Sequence, residues 1–328
     1  MRLRLFITAL SLVCFLPPAY AGQGGVHAGV KLSGLTHSLK DPDPAVRVAA
    51  ARSLGYMKEK SAVPALMDML AKDNDKGARL AALGALVVIA DRQALPAYLG
   101  ALKDEDAQVR QSAAAAMSGL WDEKGKEALI GAMLKDPSPD VRRSAALSLG
   151  TPGDVGKRDT DDESEQNQDI EGALIGVLKN DKSYEVRAAA ATVLGRIKGK
   201  DSLAPLLEAM SNDKNASVRA SAAKAAGNFQ DDRAVEPLIK VLYFEKNENV
   251  IVNAIKALRY SSDPRIADPL VAELDSGSDR VLWQAIDLIE RIRPPEAVGK
   301  LKSISEDNYE SEGVREKAKE ALELMGED

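Results

Sequence analysis

The sequence predicts an all-α protein, an alpha-alpha superhelix of about nine helix pairs. Three observations carry that expectation. A Val-Arg pair returns along the chain: Arg47, Arg110, Arg142, Arg187, Arg219 and Arg315 each follow a valine, and Arg79 follows Ala78. Two weaker copies, Val250-Ile251 and Val281-Leu282, complete nine anchors separated by 32, 31, 32, 45, 32, 32, 31 and 33 residues. Self-similarity at such a period marks a repeat array, in which each unit buries its apolar face against its neighbours. The composition agrees, with 45% hydrophobic but only 4% aromatic residues, so the core must be built from Ala, Leu, Val and Ile in a chain rich in helix formers. Finally, the chain lacks alternating apolar and polar stretches bounded by hairpin turns, which leaves no place for a sheet.

Residues 1–21 stand outside the array. Arg2 and Arg4 precede an apolar run of 12 residues, Leu5 to Leu16, and Ala19 and Ala21 supply the small residues of a cleavage site. This is the pattern of a secretory signal peptide cut after Ala21, with an apolar run short of a bilayer span. The single cysteine, Cys14, lies inside it, and the preceding Ser-Leu-Val lacks the small residues of a lipidation signal. The mature chain therefore has no thiol chemistry. The expected location is periplasmic, with no stable membrane insertion after signal cleavage. The formal net charge of −6, without a strongly basic stretch, argues against nucleic acid as a partner.

Residues 22–29 read as a flexible mature N-terminus, 30–150 as repeats 1–4 and 170–328 as repeats 5–9. Each repeat reads as two helices. The first runs through strings such as "AVPALMDML" and "AVEPLIKVL", with Pro64, Pro96, Pro205, Pro237 and Pro269 near the start, where a missing N–H costs least. The second begins at the Val-Arg pair and runs through an Ala-rich stretch. An alanine stands three residues after every anchor, from Ala50 to Ala318, on the face of the preceding valine, where a methyl group lets helices approach closely. Gly55, Gly150, Gly195 and Gly227 close four copies and are expected to form left-handed helix stops.

An aspartate stands six residues before most anchors. Asp41, Asp73, Asp104, Asp136, Asp181 and Asp213 precede Arg47, Arg79, Arg110, Arg142, Arg187 and Arg219. Where the arginine becomes Ile251 or Leu282, the aspartate becomes Glu245 or Ser276, and Arg315 has Tyr309. The joint loss predicts a structural Asp–Arg ladder, within a repeat or between neighbours. Identical copies in successive repeats are not a single catalytic centre.

These features, over residues 30–325, resemble the HEAT-repeat family, especially the short HEAT-like repeats of the phycobilin-lyase type. The resemblance implies an α-solenoid that works mostly as a binding surface. Similar repeats also build enzymes such as the deoxyhypusine hydroxylases, which hold iron through repeated His-Glu dyads. Here the two histidines are His27 and His37, neither followed by Glu, so that iron chemistry would lack its ligands. The lyases act on a bilin in the cytosol, against which the export signal stands.

The one long spacing reflects residues 151–169, "TPGDVGKRDTDDESEQNQD", which carry seven acidic residues and read as a flexible, solvated insertion. Asp159, Asp161 and Glu163 alternate as calcium ligands can, but an EF-hand loop would need Gly at Ser164 and Glu at Ile170.

The second helices are expected to line the concave face, with the residue after the anchor and the one four further on pointing outward. That column holds Arg52, Arg143, Leu147, Thr192, Lys224, Val252, Lys256 and Trp283. Trp283, flanked one repeat earlier by Lys256, is the expected partner-binding centre unless it folds against the next repeat, with Val252, Lys224, Arg143 and Tyr243 around it. Trp121 is expected to fill the inter-repeat core. No catalytic constellation, metal set or cofactor motif is present. The expected function is a non-enzymatic periplasmic scaffold that binds a protein or peptide in its groove. The alternative is an accessory subunit or chaperone for an enzyme or cofactor protein, and after that an enzyme itself, such as a lyase or hydroxylase.

Overall fold

The computed structural model of the chain describes residues 32–151 and 163–327. Within them eighteen α-helices make nine consecutive pairs, and no strand occurs among the described residues. The pairs are α1 (Leu32–Ser38) with α2 (Pro44–Tyr56), α3 (Val63–Lys72) with α4 (Lys76–Ile89), and α5 (Leu95–Ala101) with α6 (Ala107–Ala116). They continue as α7 (Glu123–Lys135) with α8 (Pro139–Leu149), α9 (Glu163–Asn180) with α10 (Tyr184–Ile197), and α11 (Leu203–Asn212) with α12 (Ala216–Gly227). The last are α13 (Val235–Phe244) with α14 (Glu248–Leu258), α15 (Ala267–Glu273) with α16 (Asp279–Ile292), and α17 (Val298–Glu306) with α18 (Glu312–Met325). The signal peptide expected at 1–21 and the stretch 22–29 lie outside the described residues.

The first helices are amphipathic: α3 buries Val63, Leu66, Met69 and Leu70 on one stripe. The second helices are buried around much of their circumference, as α12 shows with Val218, Ala220, Ala222, Ala223, Ala225 and Ala226. Alanine makes this possible, since helices without long side chains can be surrounded closely. The repeated alanine three residues after the anchor is buried in every copy, from Ala50 to Ala318. The five first-helix prolines all fall in the first helical turn, where their missing N–H has no intrahelical partner to lose.

The ladder runs between neighbouring repeats. The guanidinium of Arg47 grips the carboxylate of Asp73 with two N–H bonds, Nε at 2.6 Å and Nη2 at 2.7 Å. The same fork joins Arg79 to Asp104, Arg110 to Asp136, Arg142 to Asp181 and Arg187 to Asp213, and Arg219 to Glu245. Each arginine also reaches back to its own turn, but to the main chain: Nη1 of Arg142 donates to the Asp136 carbonyl at 2.9 Å. Each acid further accepts the N–H two residues on, as Asp136 does from Ser138, and so shapes the turn before the second helix.

This register accounts for the pattern of losses. Glu245 is the partner of Arg219, so it stands in for aspartate rather than failing beside Ile251. Ile251 has no charge to offer, and the corresponding next-repeat position is Ser276; Leu282 is likewise followed by Tyr309. Asp41 has no preceding arginine among the described residues, and Arg315, beyond the last rung, donates to the Glu310 carbonyl.

Two expectations change. Gly55, Gly195 and Gly227 lie inside helices and Gly150 has φ −78°, so none is a left-handed stop. Left-handed backbone instead falls on Lys58, Ala90, Lys198, Gln230 and Arg293, with φ between 52° and 55°, and on two other glycines, Gly119 at 74° and Gly326 at 79°, which caps α18. The glycines serve close packing. A Cβ on Gly195 would lie 2.6 Å from the Ala225 Cβ, and one on Gly227 equally near Ala257. At Gly55 it would meet the Ala85 Cα at 2.7 Å, and at Gly150 the Val193 side chain. The second change concerns the expected insertion. Its last seven residues, 163–169, belong to α9 rather than to a loop, because the helix starts well before the repeat frame requires. Residues 152–162, with Asp159 and Asp161, lie outside the described residues.

Candidate binding surface

The glycine–alanine contacts show which layer is inner. Second helices approach one another so closely that backbone meets backbone, whereas successive first helices stand further apart. The array therefore curves with its second helices on the inside. The spacing is not uniform. At α14 and α16 the glycine position is Arg259, and the two helices separate. An open hollow of about 290 Å³ lies there, lined by Val252, Lys256, Asp279, Arg280, Trp283 and Gln284.

Trp283 is 43% exposed, on the second turn of α16. Its ring carries Lys317 from the next repeat, whose Nζ sits 5.0 Å from the ring centroid, a cation–π contact. Glu290 holds that ammonium at 2.7 Å. One side of Trp283 is thus engaged by the following repeat while the hollow remains open beside it. Lys256 is exposed and lines the hollow. Val252 does not point outward as expected; it is 4% exposed and forms the floor, because the wider gap lets it sink between helices. Arg280 reaches Glu248 at 3.0 Å across the gap.

The other expected residues scatter along the inner face. Lys224 and Arg52 are exposed, while Leu147 and Thr192 are half-buried. The Thr192 hydroxyl donates to the Ala188 carbonyl and so serves its own helix. Arg143 is half-buried, with an Nε that has no hydrogen-bond partner and with Glu185 as a neighbouring counter-charge. Tyr243 is not among the residues that line the hollow. It lies in the last turn of α13, where its ring pairs with that of Phe244 at 6.2 Å, and both are exposed. Trp121 is buried as expected, its Nε1 donating to the Ser148 and Thr151 carbonyls at 3.1 Å.

The outward column predicted from the sequence stopped one helical turn too early. A residue nine after the anchor lies four beyond the predicted column and on the same face. That third row adds Tyr56, Val88, Arg196, Tyr260 and Arg291, all exposed. Extending the spacing of four would have found it.

Burial would raise the ladder carboxyls, but the arginine forks and turn N–H groups outweigh it and hold Asp73, Asp136, Asp181, Asp213 and Glu245 below their usual values. These acids are committed to structure. Among the described residues no group of three or more His, Cys, Asp or Glu could hold a metal ion, and no helix is long and apolar enough to cross a membrane.

A profile of HEAT repeats matches residues 32–118, 97–162, 170–259 and 235–323. The chain belongs to the HEAT-repeat family. Solved HEAT-like solenoids superpose on it. The Escherichia coli protein YibA matches with a TM-score of 0.58 at 18% identity, over 85% of this chain and 96% of that one. Yeast importin-β, Kap95p, matches with a TM-score of 0.65 at 16% identity, over 90% of this chain and 46% of its own. Kap95p also matches in its complex with Nup1, at 0.64 and 16%, with the same coverage. The chain thus spans a little under half of importin-β. No curated protein matches it in sequence. At these identities the likeness establishes the HEAT solenoid and nothing finer.

Proposed function

We propose that this HEAT-repeat chain is a non-enzymatic scaffold that holds a protein or peptide along its inner face and works in the periplasm after loss of residues 1–21. The observation that carries the reading is the gap between α14 and α16, where an exposed tryptophan borders an open hollow on the concave layer. Buried aromatics at the centre of an interface contribute most of its binding energy, and a half-open ring beside a recess supplies such an anchor. A similar solenoid, Kap95p, is known in complex with a protein, Nup1.

The test is capture of partners from a periplasmic extract by the mature chain, with Trp283→Ala beside it. The variant is expected to weaken capture at least tenfold, about 1.4 kcal/mol, with an unchanged helical signal. Normal capture by a variant that melts several degrees lower would make Trp283 part of the fold. Export is tested separately: mass spectrometry of the mature protein is expected to find Gly22 at the N-terminus, and an intact Met1 on soluble protein overturns it.

A further inference from the structure

The inner face has a charge bias opposite to that of the molecule. Its exposed stripe consists of the residues one, five and nine after each anchor. From α2 to α14 not one acidic residue stands on that stripe, in a chain with 50 Asp and Glu. It carries Arg52, Arg143, Arg196, Lys224 and Lys256. Arg143 has Glu185 nearby. Arg196, Lys224 and Lys256 are exposed and form no ion pair with any described residue, whereas the exposed cations elsewhere in the second half are divided: Arg233, Lys240, Arg259 and Arg265 are paired, and Lys182, Lys198, Lys200, Lys214 and Lys246 are not. These three stand on consecutive second helices, α10, α12 and α14, and the row ends at the hollow beside Trp283.

We infer that the groove takes an extended acidic peptide segment of a partner protein, its carboxylates on Arg196, Lys224 and Lys256 and an apolar side chain in the hollow at Trp283. This rests on the groove-binding reading above and names the chemistry of its ligand. Charge complementarity selects the ligand: unpaired cations on a stripe that is acid-free from α2 to α14 favour carboxylates, in a chain whose net charge is negative, and the acid that α16 adds to the stripe, Asp287, is held by Arg259. Geometry sets the spacing. Neighbouring helices lie about 9–10 Å apart, and an extended chain rises about 3.3 Å per residue, so one carboxylate per repeat means an acidic residue at about every third position. The span from α10 to α16 takes about nine residues by the same arithmetic. A nucleic acid fits less well, because single phosphates would meet one cation per repeat within an acidic molecule.

The experiment uses the mature full-length chain and fluorescence anisotropy. The probes are a labelled peptide with glutamate at every third position, serine between and leucine at both ends; the same peptide with lysine for glutamate; and a labelled oligothymidine. The glutamate peptide is expected to bind, to weaken at least tenfold with Lys224→Glu/Lys256→Glu, and to weaken further as salt rises. The double variant is on the solvent side of its helices and is expected to keep the wild-type melt. Equal or tighter binding of the lysine peptide, tighter binding of oligothymidine, no binding of the glutamate peptide, or indifference to the charge reversal each overturns the inference. The groove reading is judged apart from this by extract capture: partners lost with Trp283→Ala but retained by Lys224→Glu/Lys256→Glu leave the groove standing and remove the acidic ligand.

Discussion

Arg110 and Asp136 sit in different repeats yet share two N–H bonds of 2.8 and 3.1 Å, with both side chains largely sheltered from solvent. Removing one partner leaves a desolvated charge, so each single alanine variant is expected to be strongly destabilised, by about 3–5 kcal/mol at the buried limit and less here, where solvent still reaches the pair. The double variant is expected to fall short of the sum by about 0.5–3 kcal/mol. Asp136 and Arg142, although six residues apart in one repeat, meet only through the Asp136 carbonyl, which alanine retains. Their cycle is expected to show the smaller coupling, and urea melts of the two sets decide between the registers. The ladder also sets an acid limit. Carboxyls held below their ordinary values give stability that is complete above the unfolded value of 3.8 for aspartate and drains as pH falls through the native one. Stability is therefore expected to be level near pH 5 and to fall below about pH 4, whereas a fall beginning at pH 6 would implicate other groups. Tyr98 presents the opposite case. Its hydroxyl is buried without a hydrogen-bond partner, and burial pushes its pKa upward. Tyr98→Phe is expected to be neutral or stabilising, since it deletes an unmet polar group without a cavity.

Between elements, the smallest side chains decide how close two helices come. Gly195 on α10 faces Ala225 on α12 so closely that a Cβ has no room against backbone. Gly195→Ala is expected to cost about 1–3 kcal/mol through overpacking, despite the better helix propensity of alanine. Gly176, inside α9, has nothing within 4 Å of where its Cβ would stand. Gly176→Ala is expected to stabilise by up to about 1 kcal/mol. Thermal melts in which both variants shift the same way would contradict the packing account. The same contrast explains the hollow: where the glycine position is Arg259, α14 and α16 part, and the gap becomes a surface recess.

For the whole molecule, the ladder covers the junctions from repeat 1 to repeat 7 and stops at Glu245. The remaining two junctions rely on apolar packing, Ile251, Leu282 and Ile286 being buried, on the Lys317–Glu290 pair, and on more exposed pairs such as Arg280–Glu248, Arg259–Asp287 and Lys300–Asp275. In a solenoid, stability is the sum of repeat and neighbour terms, so weak junctions open locally. Hydrogen exchange is expected to find α16–α18 less protected than α10–α12. Uniform protection along the chain would mean that apolar packing fully replaces the ladder.

The repeat, its two-helix unit and the family were legible in the sequence because a solenoid restates its local rules in every copy: valine and alanine on one face, proline in the first turn, acid and arginine at constant distance. Periodicity also exposed the ladder's members but not its register, because partners six and about twenty-six residues apart both recur once per repeat, and only the stacking of neighbours chooses between them. The glycines were visible while their role was not, since a helix stop and a close helix crossing demand the same absent Cβ. Val252 was placed on the outward column by helical spacing, and the widened gap at Arg259 buried it; Tyr243 was placed near Trp283 by repeat adjacency, and the turn after α13 set it elsewhere. Helical spacing alone determines which face a residue shares. How far apart two helices stand, and so whether that face is floor, wall or solvent, is decided by side chains from both, which no single helix encodes.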